Sequence, residues 1–180
     1  MTTPEIMLLP PSAADDAELV TTLTDLTNAV YAKAEKGLWI GDTDRTDPAE
    51  VAGFVRAGEI AVARLDGAVA GSVRIQRLAA DLGEFGMLVA APAVRGTGVG
   101  RELVRFAEEH SRAAGCTRMQ LELLVPREWT HPSKEFLAGW YGRLGYRVVE
   151  TATIESAYPN LAPQLATPCD FLVYHRDLAG

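Results

Sequence analysis

Hydrophobic positions change their period several times along the chain, and each change marks an element. Glu5–Leu9 is a short apolar run that reads as a strand, broken by "PPS". Leu19, Leu23, Leu26 and Val30 then recur at helical spacing. They predict an amphipathic helix from residue 13 to about 33, capped by Ser12, with Asp15 and Asp16 near its positive end. "KGLWIGDTDRT" is a loop. Asp47-Pro48-Ala49-Glu50 opens a second helix with a cap residue, a first-turn proline and an acid at the third position. Val51, Phe54 and Val55 give it a buried face, and Gly58 stops it. Two β-rich runs flank Asp66-Gly67, which is a hairpin signal. Another turn, "ADLGE", leads into a strand over Phe85–Ala90 that Pro92 ends. From Val99 to Ala114, Leu103, Phe106, His110 and Ala113–Ala114 share one helical face, closed by Gly115. Met119, Leu121, Leu123 and Val125 alternate as in a strand. Phe136, Leu137, Trp140, Tyr141 and Leu144 define a last helix, closed by Gly145. "YRVVETATI" and "CDFLVYHRDL" are two more strands, separated by a proline-containing loop or short helix.

The predicted order is β α α β β β α β α β β. This is an α+β class with a mixed, mostly antiparallel sheet and about four helices. The crossover through residues 85–124 must be parallel, because a helix carries the chain back. No linker, repeat or low-complexity tract interrupts it, so residues 1–180 are expected to form a single domain.

Composition narrows the class without naming a chemistry. Hydrophobic residues make up 48% of the 180, enough for a substantial core. A net charge of −7 with no basic cluster argues against nucleic acid as a partner and is compatible with cationic substrates. Cys116 and Cys169 lie far apart without a CxxC pattern. Two free thiols in a reducing cytoplasm are the expectation. The apolar run Ile6–Leu9 is too short for a signal peptide, and no stretch of about 18 apolar residues predicts a membrane span. No ligand cluster for a metal is present. His110 is expected to pack beside Phe106.

The chemically informative stretch is "EFGMLVAAPAVRGTGVGREL", where Gly96, Gly98 and Gly100 stand between a strand and a helix. Such a turn lets the backbone approach an anion while the first amides of the helix point at it. A dinucleotide fold needs a third glycine where Arg101 stands, and a phosphate loop of the Gly-Lys-Ser/Thr kind needs residues that are absent. What remains is Arg95-x-x-Gly98-x-Gly100. Followed by "GRELVRFAEEHSRAAG", "CTRMQLELLV" and "AGWYGRLGYRVV", this motif resembles the GNAT superfamily of N-acetyltransferases, most clearly over residues 58 to 150.

The resemblance implies acetyl transfer from acetyl-CoA to a primary amine by direct attack. A small molecule is the favoured acceptor, a protein amine the alternative, and a non-catalytic acyl-CoA sensor the rival class. It implies that Arg95, Gly96, Thr97, Gly98, Val99 and Gly100 hold the pyrophosphate, with Arg101 either joining them or remaining solvated. Leu88, Val89 and Ala90 would line the acyl arm, and the Leu88 amide, freed by a strand bulge that also tolerates Gly86, would polarise the thioester carbonyl. Tyr141 would protonate the departing thiolate. Glu84 or Glu122 would take the proton of the ammonium. Lys134 replaces an asparagine common in the family and could meet a phosphate. Trp39, Trp129, Trp140, Asp42 and Asp44 are candidates for the acceptor pocket, and a homodimer is a family-level expectation.

Overall fold

A computed structural model describes residues 3–178. The strands are β1 (Glu5–Leu8), β2 (Ile60–Leu65), β3 (Ala68–Ala79), β4 (Leu82–Ala90), β5 (Arg118–Pro126), β6 (Arg147–Thr153) and β7 (Cys169–Asp177). The helices are α1 (Ala17–Ala34), α2 (Pro48–Arg56), α3 (Val99–Ala113), α4 (Pro132–Arg143) and the single turn α5 (Ile154–Ala157). The seven strands form one sheet in the order β1-β2-β3-β4-β5-β7-β6, antiparallel throughout except for the β4–β5 pair that α3 connects. The α+β class, the mostly antiparallel sheet and the parallel crossover are therefore as expected from the hydrophobic pattern.

Local chemistry explains most boundaries. Asp66 and Gly67 both take positive φ, 51° and 82°, which is the backbone that a two-residue hairpin with matching twist requires. Asp47 accepts a bond from the Glu50 amide at 2.9 Å and starts α2. The first helix differs from expectation. Residues 11–15 form a separate 3-10 turn in which no side chain caps, and α1 begins afresh behind Asp16, which accepts from the Leu19 amide at 3.1 Å. Ser12 is thus not the cap; the carboxylate that satisfies a first-turn amide is four residues later.

A large core lies between the sheet and α3 with α4, and includes Val73, Phe85, Leu103, Met119, Tyr141, Tyr146 and Tyr174. A second core joins α1 and α2 to the opposite face of β2. A third small cluster, Leu38, Leu124, Ile154 and Cys169, closes the far end.

Two strand glycines set how closely α3 approaches. A Cβ on Gly71 would stand 2.6 Å from the Val89 carbonyl oxygen and 3.1 Å from both Leu103 and Val99. One on Gly83 would stand 2.7 Å from the Ser111 hydroxyl. The close approach requires glycine at both strand positions, and α3 buries Val99, Leu103, Val104, Ala107, Glu108 and Ser111. Phe106 lies on the flank of that face and His110 is exposed, stacked against Phe106 with centroids 6.2 Å apart. His110 thus packs beside Phe106 as expected, but the buried face of α3 is offset from the predicted one, which included both residues.

Buried Glu108 ties the core together. It accepts from the Tyr146 hydroxyl at 2.7 Å and from Arg176 at 2.8 Å. No helix among the described residues is long and apolar enough to cross a membrane.

Candidate active site

The site begins where two neighbouring strands part. β4 and β5 pair only at Leu82–Arg118, Gly83–Met119 and Glu84–Gln120. Beyond Glu84, β4 keeps β3 on one side and has no strand on the other. Within this open stretch Ser72 pairs with Val89 and Arg74 with Gly86, so Val73 faces both Met87 and Leu88. That two-against-one arrangement is a β-bulge, which frees a backbone group from the ladder and re-aims the strand. The left-handed residue is Met87, with φ of 49°, and not the neighbouring Gly86. Such a φ costs a side-chain-bearing residue about 1–2 kcal/mol, and the buried Met87 side chain helps to hold it in place. Leu88 is half-buried, Val89 is fully buried, and Ala90 ends the strand.

β4 then runs into the glycine turn. Gly96 and Gly98 have φ of 80° and 89°, and nothing lies within 4 Å of where a Cβ on either would stand. Gly98 is the cap position of the 15-residue α3. The first-turn amides of Val99, Gly100 and Arg101 have no intrahelical acceptor, as at any helix start. The Gly96 and Gly98 amides make no backbone bond among the described residues. Thr97 behaves differently: its amide and its hydroxyl both go to the Val94 carbonyl. Val99 turns its side chain into the core and offers only its amide. Gly100 leaves room for the Trp140 ring, 3.6 Å from its would-be Cβ. Arg95 and Arg101 are both exposed beside the turn. Open space, positive φ and unbonded amides suit a diphosphate.

Tyr141 enters from α4. Its ring packs in the core against Phe85 and Tyr174, at 6.1 and 6.3 Å between centroids, and against Trp140 at 5.2 Å. Its hydroxyl makes no hydrogen bond to the protein among the described residues. Burial pushes its pKa well above that of an ordinary phenol, with Tyr31 and Tyr174 adding to the shift, so the group is held protonated.

The carboxylates lie on the other face of the seam. Glu84 is half-buried and accepts from Gln120 Nε2 at 2.7 Å. Burial raises its pKa, and nearby Glu122 adds to this; Gln120 and Arg74 oppose it. Glu122 accepts from the Tyr158 hydroxyl at 2.7 Å. Burial and that bond push the Tyr158 pKa up. Tyr31 of α1 stands with the Arg45 guanidinium 5.3 Å from its ring centroid. Its pKa is raised chiefly by burial, against the pull of Arg45 and the Met87 backbone.

One predicted site residue sits elsewhere than expected. Lys134 is buried and ion-paired with Glu35 at 2.6 Å, so its ammonium is held between α4 and the end of α1 instead of facing a phosphate. Trp39 donates to the same Glu35 at 3.1 Å, and Trp129 donates to Thr167 at 3.1 Å while covering His131. Buried His131 caps α4 by accepting from the Ser133 amide at 3.2 Å. Asp42 and Asp44 are exposed. Gln120, Tyr158, Tyr31, Arg45 and His175 were not singled out from the sequence as site groups. No motif marks them; the sheet register and the packing of α1 bring them in. Among the described residues no group of three or more His, Cys, Asp or Glu is arranged to hold a metal ion, and both cysteines are buried and free.

A family model described as the acetyltransferase (GNAT) family matches residues 20–146. No curated protein matches the sequence closely enough to count as a relative. Among solved structures, the chain is similar to an aminoglycoside 6'-N-acetyltransferase complexed with coenzyme A, at 14% identity and a TM-score of 0.74, with 98% of each chain covered. It is similar to the IAA acetyltransferase of Bacillus cereus ATCC 14579, at 16% identity and a TM-score of 0.65, covering 97% of this chain and 99% of that one. It is also similar to yncA of Salmonella typhimurium, solved with its cofactor acetyl-CoA, at 15% identity and a TM-score of 0.68, covering 99% of this chain and 96% of that one. At these identities the likeness is one of fold.

Proposed function

The chain belongs to the acetyltransferase (GNAT) family, and we propose that it transfers the acetyl group of acetyl-CoA to the primary amine of a small cationic molecule. The observation that carries this reading is the parting of β4 from β5 at Glu84, followed by the Met87–Leu88 bulge and a turn whose free amides suit a diphosphate. Arg95, Arg101 and the amides of Gly96, Gly98, Val99 and Gly100 bind the pyrophosphate. Thr97 contributes through shape, because its own polar groups are taken by Val94. Leu88, Val89 and Ala90 line the acyl arm, and the Leu88 amide stabilises the oxygen of the thioester carbonyl as it gains negative charge.

The acceptor arrives as an ammonium and must lose a proton before it attacks. Glu84 takes that proton, with Glu122 the neighbouring charge that keeps a cation in the groove. The amine nitrogen bonds to the carbonyl carbon, the carbon–sulfur bond breaks, Tyr141 donates its proton to the departing thiolate, and the remaining extra proton on the attacking nitrogen leaves to restore the Tyr141 phenol. The products are the amide and the free thiol. Burial keeps the Tyr141 phenol protonated at neutral pH, the state a donor needs, while making it a weaker acid than a free phenol.

Thiol release from acetyl-CoA with a panel of amines tests the proposal. Release that depends on a small cationic amine is expected. If no amine raises release above hydrolysis while CoA still binds, the domain senses acyl-CoA without catalysis, and the proposal fails.

A further inference from the structure

Glu84, Gln120 and His175 stand side by side on three adjacent strands. Glu84 pairs with Gln120 on the last rung between β4 and β5, and Gln120 pairs with His175 across β5 and β7. Their side chains are joined as well: Gln120 Nε2 donates to Glu84 at 2.7 Å, and Gln120 Oε1 lies 2.8 Å from His175 Nε2. An amide between two titratable groups has only two useful orientations. In one, its oxygen accepts from a protonated His175 Nε2 and its nitrogen donates to an ionised Glu84. In the other, its oxygen faces a protonated Glu84 and its nitrogen faces a bare His175 Nε2. The orientation present is the first.

The geometry points to His175 and Gln120 as positioning residues of the reaction: a proton on His175 Nε2 orients the Gln120 amide, and the amide in turn holds Glu84 in the accepting state at the mouth of the seam. The proposal rests on Glu84 being the base, and it assigns no proton transfer through the amide. The imidazole donates from Nε2 both when charged and in its Nε2–H neutral form, so the chain stays set over a wide pH range. The charged and titratable neighbours are few. Arg74 on β3, Glu122 on β5 and Tyr158 after α5 surround Glu84. Arg118 on β5, Arg147 on β6 and Asp177 on β7 surround His175. Burial and the two arginines lower the His175 pKa. The neutral Nε2–H form is therefore the donor at neutral pH, and the orientation does not depend on a charge that titrates away.

Three variants test this. His175→Leu and Gln120→Met remove the orienting bond and the donor respectively. His175→Gln keeps an amide N–H that reaches Gln120. In the first two, the acidic limb of the kcat/KM profile is expected to move up by about half to one pH unit, because Glu84 loses a bond that favours its ionised form. The high-pH plateau stays within about twofold, since amine attack and thiolate protonation are untouched. His175→Gln retains the limb of the unsubstituted protein. A direct readout accompanies the kinetics: the Glu84 carboxyl titration, followed by carbon-13 NMR of the CoA complex, shifts upward in the same two variants. An unmoved Glu84 titration in both overturns the proposal, whatever the activity. If the titration moves but Glu84→Gln leaves the limb of the profile in place, the base assignment fails while the orienting chain stands. Circular dichroism on each variant separates these outcomes from loss of fold.

Discussion

Gly71→Ala tests how the sheet positions the glycine turn. The added Cβ would meet the Val89 carbonyl oxygen at 2.6 Å, whereas real Cβ atoms essentially never come under 3.0 Å and ordinary contact starts at 3.4 Å. Relief requires about 0.4–0.8 Å of movement. The obstacle is the backbone of β4, not a flexible side-chain tip, and the next contacts are buried Leu103 and Val99 of α3 at 3.1 Å. Overpacking of this kind costs about 1–3 kcal/mol, and the backbone obstacle puts it at the upper end. The stiffer unfolded chain returns about 0.4–1 kcal/mol, leaving about 2 kcal/mol of destabilisation. For a domain of this size that lowers Tm by about 4–8 °C. Val89 and Val99 bracket the turn, so the displacement opens it from both sides and CoA affinity is expected to fall as well. Thermal denaturation and calorimetric titration with CoA measure the two effects. Gly86→Ala is the control, because nothing lies within 4 Å of its Cβ and its φ is ordinary. A Gly71→Ala protein with Tm and CoA affinity equal to those of the control would refute the claim that close approach at β3 sets the turn.

Three further outcomes are expected. Tyr141→Phe lowers kcat by about a hundredfold or more but leaves CoA affinity and Tm nearly unchanged, because the lost hydroxyl has no protein partner; an unaltered kcat at all pH values removes it as the acid. Glu84 has a raised folded pKa, so stability is lost as pH rises from the unfolded value of about 4.3 through the folded one. Glu84→Gln therefore raises Tm at pH 7.5 and gives no advantage below about pH 4; a lower Tm than the unsubstituted protein at pH 7.5 contradicts this. Lys134→Met strands the Glu35 carboxylate in the interior and costs about 3–5 kcal/mol, whereas Lys134→Met with Glu35→Leu recovers most of it; urea unfolding of both variants decides.

Local signals carried the element order because their physics is local. Asp66-Gly67 needs two positive φ values, Asp47-Pro48 starts a helix, and Pro92 stops a strand, whatever surrounds them. The glycine turn was legible for the same reason: its residues are consecutive and the rival phosphate loops need residues this chain lacks. The buried face of α3 is offset from the one periodicity predicts, because periodicity locates a helical stripe only to within a residue or so, while Gly71 and Gly83 on distant strands let Val99, Leu103 and Ser111 approach the sheet. Lys134 was misread because its partner, Glu35, is 99 residues away. The row Glu84–Gln120–His175 depends on β7 lying beside β5, and Tyr158 meets Glu122 only through the turn after β6. Sequence neighbours carry no record of either arrangement.

The three-rung junction between β4 and β5 also divides the molecule mechanically. β7 follows β6 in the chain yet lies between β6 and β5, with nine paired positions along β5. β5, β6 and β7 are thus stitched firmly to one another and only briefly to the rest of the sheet. Hydrogen exchange would show them opening as one cooperative unit, with Leu82–Glu84 as the line along which the two halves separate. The gap that exposes a thioester site is also the seam where the domain is easiest to tear.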